Sequence, residues 1–256
     1  MQYNFKRHEE KYLVSKEQGV ALKEVFSAHM EPDRFDNYLV QNLYYDTLNW
    51  DIIRSSLNKP LYKEKMRLRC YDIPDANSTV FLELKKKFKG TVYKSRVSFP
   101  FNELSYRCVQ DIAANGDSPV SRELHFYMQR NAVLPRTYIA YRRSAFSGEN
   151  ELRVTFDTEI RYRLNRLDFQ NPDEGYLILP QNTMLMEIKT LGGMPLWLAR
   201  MLSEHGIFPA SFSKYGKCYS SFIAPAAFQQ TLIHPAAFHP AAFDLAALKT
   251  EEKLSA

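Results

Sequence analysis

The sequence predicts an α+β fold framed by about eight antiparallel strands, with helices inserted between them and packed outside. Three observations carry that reading. Several segments alternate polar and apolar side chains with the period of two that a strand imposes. Others repeat apolar residues at helical spacing. The strand-like segments are mostly sequence neighbours joined by short turns, which favours antiparallel pairing. An even number of long antiparallel strands can close into an eight-stranded β-barrel, removing its edges and turning one face of every strand toward a lumen.

The elements follow in order. Residues 5–14 read as a strand with Arg7, Glu9 and Lys11 on one face and His8, Glu10 and Tyr12 on the other. Ser15 opens a helix over 16–29, with Gln18 as its capping-box partner and Val20, Leu22, Val25 and Phe26 as its apolar set. A strand over 38–46 and a short helix over 47–57 come next. Three strands then fill 63–99. A helical region from Asn102 carries Leu104, Cys108, Val109 and Ile112. After the break at Asn115-Gly116-Asp117, a second helix carries Leu124, Phe126, Tyr127 and Met128 and ends before Pro135. Strands resume over 137–146 and 151–163, joined by the turn Ser147-Gly148-Glu149-Asn150. A polar loop spans 165–181, and a further strand spans 183–189. A helix over 195–205 carries Leu196, Trp197, Ala199, Arg200 and Leu202, and a short helix over 211–222 closes the fold. Residues 1–222 form one domain in this reading. Residues 223–256 form a low-complexity tail in which PAAF occurs three times, and its prolines argue against a continuous helix.

The three strands at the centre are distinctive. The first places Lys63, Lys65, Arg67 and Arg69 on one face, opposite Met66, Leu68 and Cys70. The second places Glu83, Lys85 and Lys87 opposite Val80, Leu82 and Leu84, and the third, after Lys89-Gly90, puts Lys94 and Arg96 together. Like charges side by side on a sheet repel. The face is therefore either bathed in water, as an ordinary outer surface, or built to meet a polyanion.

Composition narrows the choices. The net charge of +5 is modest for a nucleic-acid coater, and a nucleic-acid groove calls for stacking aromatics and few acids, so no nucleic-acid partner is expected. Cys70, Cys108 and Cys218 are odd in number and far apart, which argues against a disulfide framework or structural zinc and for a reducing, cytoplasmic setting. The first residues lack an apolar signal core, and no run approaches about 20 apolar residues, so no membrane segment is expected. His8, His29, His125 and His205 show no ligand spacing, and Trp50 and Trp197 read as core. There is no Gly-rich Walker loop and no G-x-S-x-G, which disfavours a P-loop kinase and a serine hydrolase.

One strand pattern recurs: Glu9/Lys11, Glu83/Lys85 and Glu187/Lys189 as E-x-K, beside Arg67/Arg69 as R-x-R. Any one E-x-K is an ordinary surface ion pair worth under about 1 kcal/mol. Tyr141 with Arg143, and Arg153 with Thr155 and Asp157, add further shared faces. If all of these line one lumen, the interior is a ring of cations with a few carboxylates. Arg and Lys would grip phosphate oxygens, and the carboxylates would hold Mg²⁺ or Mn²⁺. Such a site transfers phosphoryl groups by positioning and charge neutralisation.

The ordered series RHEEKY, LYYDT, MRLRCY, FLELKKK, YKSR, YRRSAF, LRVTFD, MEIK and FSKY resembles the VTC domain, the catalytic domain of polyphosphate polymerases, within the triphosphate tunnel metalloenzymes. The resemblance spans about residues 3 to 222. It implies an eight-stranded antiparallel tunnel, ATP or another triphosphate inside, a divalent metal, and transfer of the terminal phosphate to inorganic polyphosphate. By motif position, Lys11, Arg67, Arg69, Lys85, Arg143, Arg153, Lys189 and Lys214 would contact phosphate, joined by Lys94, Arg96 and Ser213. Arg67, Arg69 and Lys189 would be central to catalysis. Glu187 would lead the metal ligands, with Glu9 and Glu83 beside it. The wider superfamily begins with E-x-E-x-K, whereas this chain has Arg7 in the first place, as in the polymerase branch. That departure favours a longer polyanion and removes one carboxylate. The sensing domain and membrane helices of fungal members have no counterpart here, which points to a bacterial-type protein. Two other readings stay open: a triphosphatase or polyphosphatase in the same tunnel, and a binding module for polyphosphate or nucleotide without catalysis.

Overall fold

Eight long strands and two short ones form one antiparallel sheet in a computed structural model, which describes residues 7–34, 37–105 and 108–225. In chain order the elements are β1 (Arg7–Ser15), α1 (Lys16–His29), β2 (Glu31–Pro32), β3 (Tyr38–Asp46), α2 (Asp51–Leu57), β4 (Tyr62–Tyr71), β5 (Thr79–Phe88) and β6 (Thr91–Pro100). There follow α3 (Val109–Ala114), α4 (Pro119–Asn131), β7 (Leu134–Ser147), β8 (Arg153–Arg163), β9 (Tyr176–Leu177), β10 (Thr183–Leu191), α5 (Leu196–Glu204) and α6 (Lys214–Cys218). The long strands run in the order β1-β10-β8-β7-β3-β4-β5-β6, with β2 against β7 and β9 against β8.

The sheet curls into a barrel-like wall. Lys85 on β5 reaches to 3.8 Å from Glu9 on β1, although these strands lie near opposite ends of the hydrogen-bonded order. Among the described residues no ladder joins β6 to β1, so a seam remains where the expected barrel would close.

Register fixes which side chains share the concave face. Glu9 pairs Lys189 and Lys11 pairs Glu187. Glu187 pairs Thr155 and Lys189 pairs Arg153. Arg143 pairs Asp157, Val40 pairs Tyr141, and Tyr44 pairs Arg67. Arg67 pairs Glu83, Lys65 pairs Lys85, and Glu83 pairs Arg96. Since directly opposed residues of neighbouring strands point to one side, these links carry one face across the whole wall.

The convex face is dry in two places. Tyr12 and Val14 of β1 and Met184, Met186 and Ile188 of β10 pack with Leu22 and Phe26 of α1 and Leu198, Met201 and Leu202 of α5. Met66, Leu68 and Cys70 of β4 and Val80, Leu82 and Leu84 of β5 pack with Val109 and Ile112 of α3 and Leu124, Tyr127 and Met128 of α4. A third cluster fills one end of the concave side: Val40, Tyr44, Ile139 and Tyr141 meet Ile53 of α2 and Tyr215 and Cys218 of α6.

Several sequence expectations shift. The short helix begins at Asp51, after a turn at Thr47, where Trp50 adopts φ 62°. Asp46 anchors it, accepting from the N–H groups of Thr47, Ile52 and Ile53 and from the Tyr215 hydroxyl at 2.8–3.0 Å. The helical region after Asn102 is a 3₁₀ turn (Phe101–Ser105) followed by α3, with Cys108 as its N-cap. Phe126 and Leu196 point to solvent, 61% and 64% exposed, and Leu198 takes the core position in α5. Trp50 is buried as expected, whereas Trp197 is half-buried, stacked on His29. The polar loop contributes β9, which extends the sheet beside β8. The last helix is α6 followed by a π-turn, Tyr219–Ile223. The three cysteines are free. Phe5 and the tail from 226 onward, with most of its PAAF repeats, lie outside the described residues. No helix among the described residues is long and apolar enough to cross a membrane.

Candidate functional site

The concave face carries its charges in three groups, each centred on carboxylate. In the first, Glu83 of β5 is 1% exposed and sits among four cations. Arg67 donates to its Oε2 through Nε at 2.8 Å, with Nη2 at 2.7 Å. Lys94 reaches Oε1 at 2.5 Å, Arg96 stands 3.9 Å from the same oxygen, and Arg69 Nε lies 4.0 Å from Oε2. Burial alone would raise the Glu83 carboxyl, but Arg67, Arg69 and Lys94 outweigh it and hold it down to about 2. Arg69 is braced separately: its Nε donates to Asn42 Oδ1 at 2.9 Å, and Arg67 Nη1 reaches the Tyr44 hydroxyl at 3.4 Å.

The second group spans β1 and β10. Lys11 Nζ lies 3.1 Å from Glu9 and 3.8 Å from Glu187, and Lys189 Nζ lies 2.8 Å from Glu187. Lys85 completes it from β5. For both carboxyls burial is the largest influence and acts upward. The lysines reverse it, so both fall below the usual range, Glu187 well below, even though the Glu187 charge opposes the ionisation of Glu9.

The third group is the most enclosed. Asp157 of β8 is fully buried and accepts a bidentate pair from Arg143, Nε at 2.6 Å and Nη2 at 2.8 Å, while Lys214 Nζ donates at 2.5 Å. Two parallel N–H···O bonds between guanidinium and carboxylate fix orientation as well as charge. The Tyr141 ring lies beneath these cations, 4.3 Å from Lys214 Nζ and 5.1 Å from the Arg143 guanidinium. Burial pushes its phenol up, but Arg143, Arg69 and Lys214 pull it down to about 8. Ser213 caps α6 by accepting from the Gly216 N–H at 3.2 Å, and it accepts from Lys65 Nζ at 3.0 Å. A hydroxyl that accepts twice still has its own proton to donate. The turn is close-packed at Gly216, where a Cβ would come 3.1 Å from Leu57 Cδ2 and 3.2 Å from Ser213 Cβ, so these neighbours would have to shift to admit a side chain.

The wall thus brings together Lys11, Arg67, Arg69, Lys85, Lys94, Arg96, Arg143, Lys189, Ser213 and Lys214 on one side of the sheet. Arg153 shares that face by register but turns to an ion pair with Asp33. Glu9 and Glu187 stand together, whereas Glu83 stands apart, and no three acidic, His or Cys side chains converge on one point among the described residues. The Glu9–Glu187 pair suits a hard divalent cation: two repelling carboxylates supply part of an octahedral oxygen shell and leave the rest to phosphate and water. Glu83 has both oxygens engaged by cations.

Two members of this face carry no individual site role in the sequence reading. Period alone groups Asp157 with Arg153, and nothing in the sequence marks it as the partner of Arg143 and Lys214. Lys65 reads in sequence as one of a basic row, and its position between Ser213, Lys63, Lys11 and Lys85 is a product of the curl.

The VTC domain family model matches residues 6–223, so the chain belongs to the VTC domain family. No curated protein matches the sequence. Among solved structures, HpAC1 from Hippeastrum, described as having a dominant triphosphatase activity, is similar at 18% identity over 83% of this chain and 94% of that one, with a TM-score of 0.48. The PH1819 protein from Pyrococcus horikoshii is 16% identical over 82% and 95%, with a TM-score of 0.46. A candidate adenylate cyclase from Vibrio parahaemolyticus is 13% identical over 84% and 98%, also at 0.46.

Proposed function

We propose that the concave wall binds a triphosphate such as ATP with Mn²⁺ or Mg²⁺ and transfers its terminal phosphoryl group to inorganic polyphosphate. The observation that carries this reading is the set of three carboxylate-centred cation groups on one face of a VTC-family sheet. Acids interleaved among the cations hold them in place without substrate and yield them to phosphate oxygens when it arrives.

In this reading Arg67, Arg69, Lys94 and Arg96 clamp one end of the phosphate chain. Glu83 aligns them by occupying the side of each cation that faces the wall. Lys11, Lys85 and Lys189 exchange part of their contact with Glu9 and Glu187 for phosphate oxygens. Glu9 and Glu187 would then hold the divalent ion, which when bound neutralises charge on the transferring phosphoryl group. Arg143 and Lys214 are fixed by Asp157 and present their remaining donors to the lumen, with Ser213 adding a hydroxyl.

Purified protein with ATP and Mn²⁺ or Mg²⁺ is expected to yield long-chain polyphosphate. Release of phosphate alone would assign the same tunnel to hydrolysis, and retained triphosphate binding with no product would assign a binding module. Glu187→Gln is expected to raise the metal concentration needed for half-maximal activity several-fold, roughly as loss of one ligand does. An unchanged metal titration removes Glu187 from the ligand set.

A further inference from the structure

The two ends of the β4–β5–β6 ladder differ in charge and polarity. At one end the loop 72–78, between β4 and β5, carries Asp72 and Asp75 and no lysine. Its polar groups are engaged with one another: Asp75 accepts from the Asn77 N–H and from the Ser78 hydroxyl, both at 2.9 Å. At the other end the loop before β4 is tied to the turn between β5 and β6, where the Lys89 N–H donates to the Leu61 carbonyl at 2.9 Å. Lys59, Lys63, Lys87 and Lys89 stand at this end, and none has a carboxylate within ion-pair distance among the described residues. The acids close by are already matched, Glu64 by Arg130 at 2.7 Å and Glu123 by Lys86.

Apolar side chains crowd the same end. Leu61 is 71% exposed, and Tyr62, Phe88, Val92 and Tyr93 are exposed beside it. Tyr62 directly faces Phe88, with ring centroids 6.5 Å apart, and Val92 directly faces Lys87. The Lys89 ammonium lies 5.4 Å from the centre of the Phe88 ring. Single exposed apolar residues need no explanation, but a contiguous set rimmed by charge marks an interaction surface. The backbone adds a second sign. Lys89 and Gly90 both adopt positive φ, 45° and 88°, as a two-residue hairpin turn of type I′ requires, and Lys59 adopts φ 53°. Gly and Asn enter that region more readily than lysine does, so two cations occupy positions that local structure would give to other residues. Lys63 is held below the usual lysine value by burial and then by the charges of Lys87 and Lys59, which sets Lys59 over the same end.

We propose that this end of the ladder docks on the surface of an anionic lipid bilayer, with Leu61, Phe88 and Val92 entering the interface and Lys59 and Lys89 meeting the headgroups. The two parts of that chemistry act together: apolar burial in the interface and lysines near an anionic surface, each worth about fivefold in affinity. Tyr62 and Tyr93 suit the headgroup level, where an apolar ring and a polar tip are both satisfied. The end is a turn and a loop, which a flat surface can meet, whereas single-stranded nucleic acid calls for a groove lined with stacking rings. Docked in this way, the strands stand on the bilayer and the acidic loop 72–78 faces away from it. The inference does not depend on the phosphoryl-transfer reading of the concave wall.

The test is flotation of the full chain with vesicles of phosphatidylcholine, alone or mixed with phosphatidylglycerol, each with and without saturating tripolyphosphate. The chain is expected to float with the mixed vesicles, to stay behind with phosphatidylcholine alone, and to remain bound when tripolyphosphate fills the concave wall. Lys59→Asn/Lys89→Asn, whose new residues suit positive φ, is expected to lose roughly 30-fold in vesicle affinity. Leu61→Ser is expected to lose about tenfold or more. All three positions are exposed, so both variants are expected to fold and to bind tripolyphosphate as wild type does. Leu61→Trp gives a second readout: against the wild-type emission of Trp50 and Trp197, its added fluorescence is expected to shift to the blue on mixed vesicles. A wild-type chain that does not float, floats equally with neutral vesicles or is released by tripolyphosphate overturns the docking surface. So do variants that float like wild type, or an emission that does not shift. None of these results touches the phosphate reading of the wall, and a chain that floats as expected but binds no tripolyphosphate overturns that reading alone.

Discussion

The two halves of the wall solve the same problem differently. On the concave face of the half made by β1, β10, β8 and β7, the carboxylates have their cations and most cations have a carboxylate: Glu9 and Glu187 with Lys11 and Lys189, and Asp157 with Arg143 and Lys214. In the half made by β4, β5 and β6, Glu83 alone serves four cations, and Lys63, Lys65 and Lys87 lie beyond its reach. A neutralised group stabilises the free protein. An excess of unpaired cation does the reverse and becomes favourable only when an anion arrives. The first half therefore reads as scaffold, carrying the Glu9–Glu187 pair proposed to hold the metal, and the second as the part whose stability depends on ligand.

The largest effect should come from breaking the balanced half. Asp157→Asn leaves Arg143 and Lys214 buried without their counter-charge, which is expected to cost about 3–5 kcal/mol. Urea denaturation of wild type and variant measures it. A cost under about 1 kcal/mol would mean that water or Tyr141 already neutralises the pair, and the contrast between the halves would fail.

The reverse sign is expected in the other half. Lys65 has a folded-state value near 7, below that of a free lysine, so between pH 7 and about 10.5 the unfolded chain binds the extra proton. Stability contributed by this position therefore rises as pH rises through that window and is lowest below pH 7. Lys65→Met should stabilise the free protein by roughly 1–3 kcal/mol at pH 7, with the gain shrinking toward pH 10, and should weaken tripolyphosphate binding. Thermal melts at pH 7 and pH 10, each with and without tripolyphosphate, separate these effects. A variant less stable than wild type at pH 7 would show that Lys65 is not an uncompensated charge.

These contrasts also show what the sequence could carry. The faces of β4, β5 and β6 were legible because period-two alternation is local, and Lys63 through Arg69 display it without interruption. The distinction within that face was not. Glu83, read as a metal ligand by analogy with Glu9 and Glu187, lies among four cations because β4 and β6 flank it, and flanking order is a long-range property. Lys63 and Lys87, at the ends of their rows in sequence, face each other across the ladder. On β8 the alternation itself breaks. Glu159 adopts φ 50° at a bulge, so Asp157 faces inward while Ile160 and Tyr162, not Glu159 and Arg161, continue the inner side. Glu159 turns out to Arg142 at 3.8 Å. No local pattern announces that one-residue slip. The capping box at Ser15 and Gln18, by contrast, needs only four consecutive residues, and it is present as read.

That box supplies the smallest effect and the control. Ser15 Oγ accepts from the Gln18 N–H at 3.1 Å, and Gln18 Oε1 accepts from the Ser15 N–H at 2.9 Å. Ser15→Ala removes one of these bonds and frays the start of α1, at about 1 kcal/mol. The helix lies on the convex side, where Leu22 and Phe26 hold it against β1 and β10, so the concave charges are untouched. The variant should melt a few degrees lower, by roughly 2–4 °C for a chain of this size, with unchanged tripolyphosphate affinity. If affinity fell with it, the two sides of β1 would be mechanically coupled, and the changes in binding seen for Lys65→Met could no longer be read as charge alone.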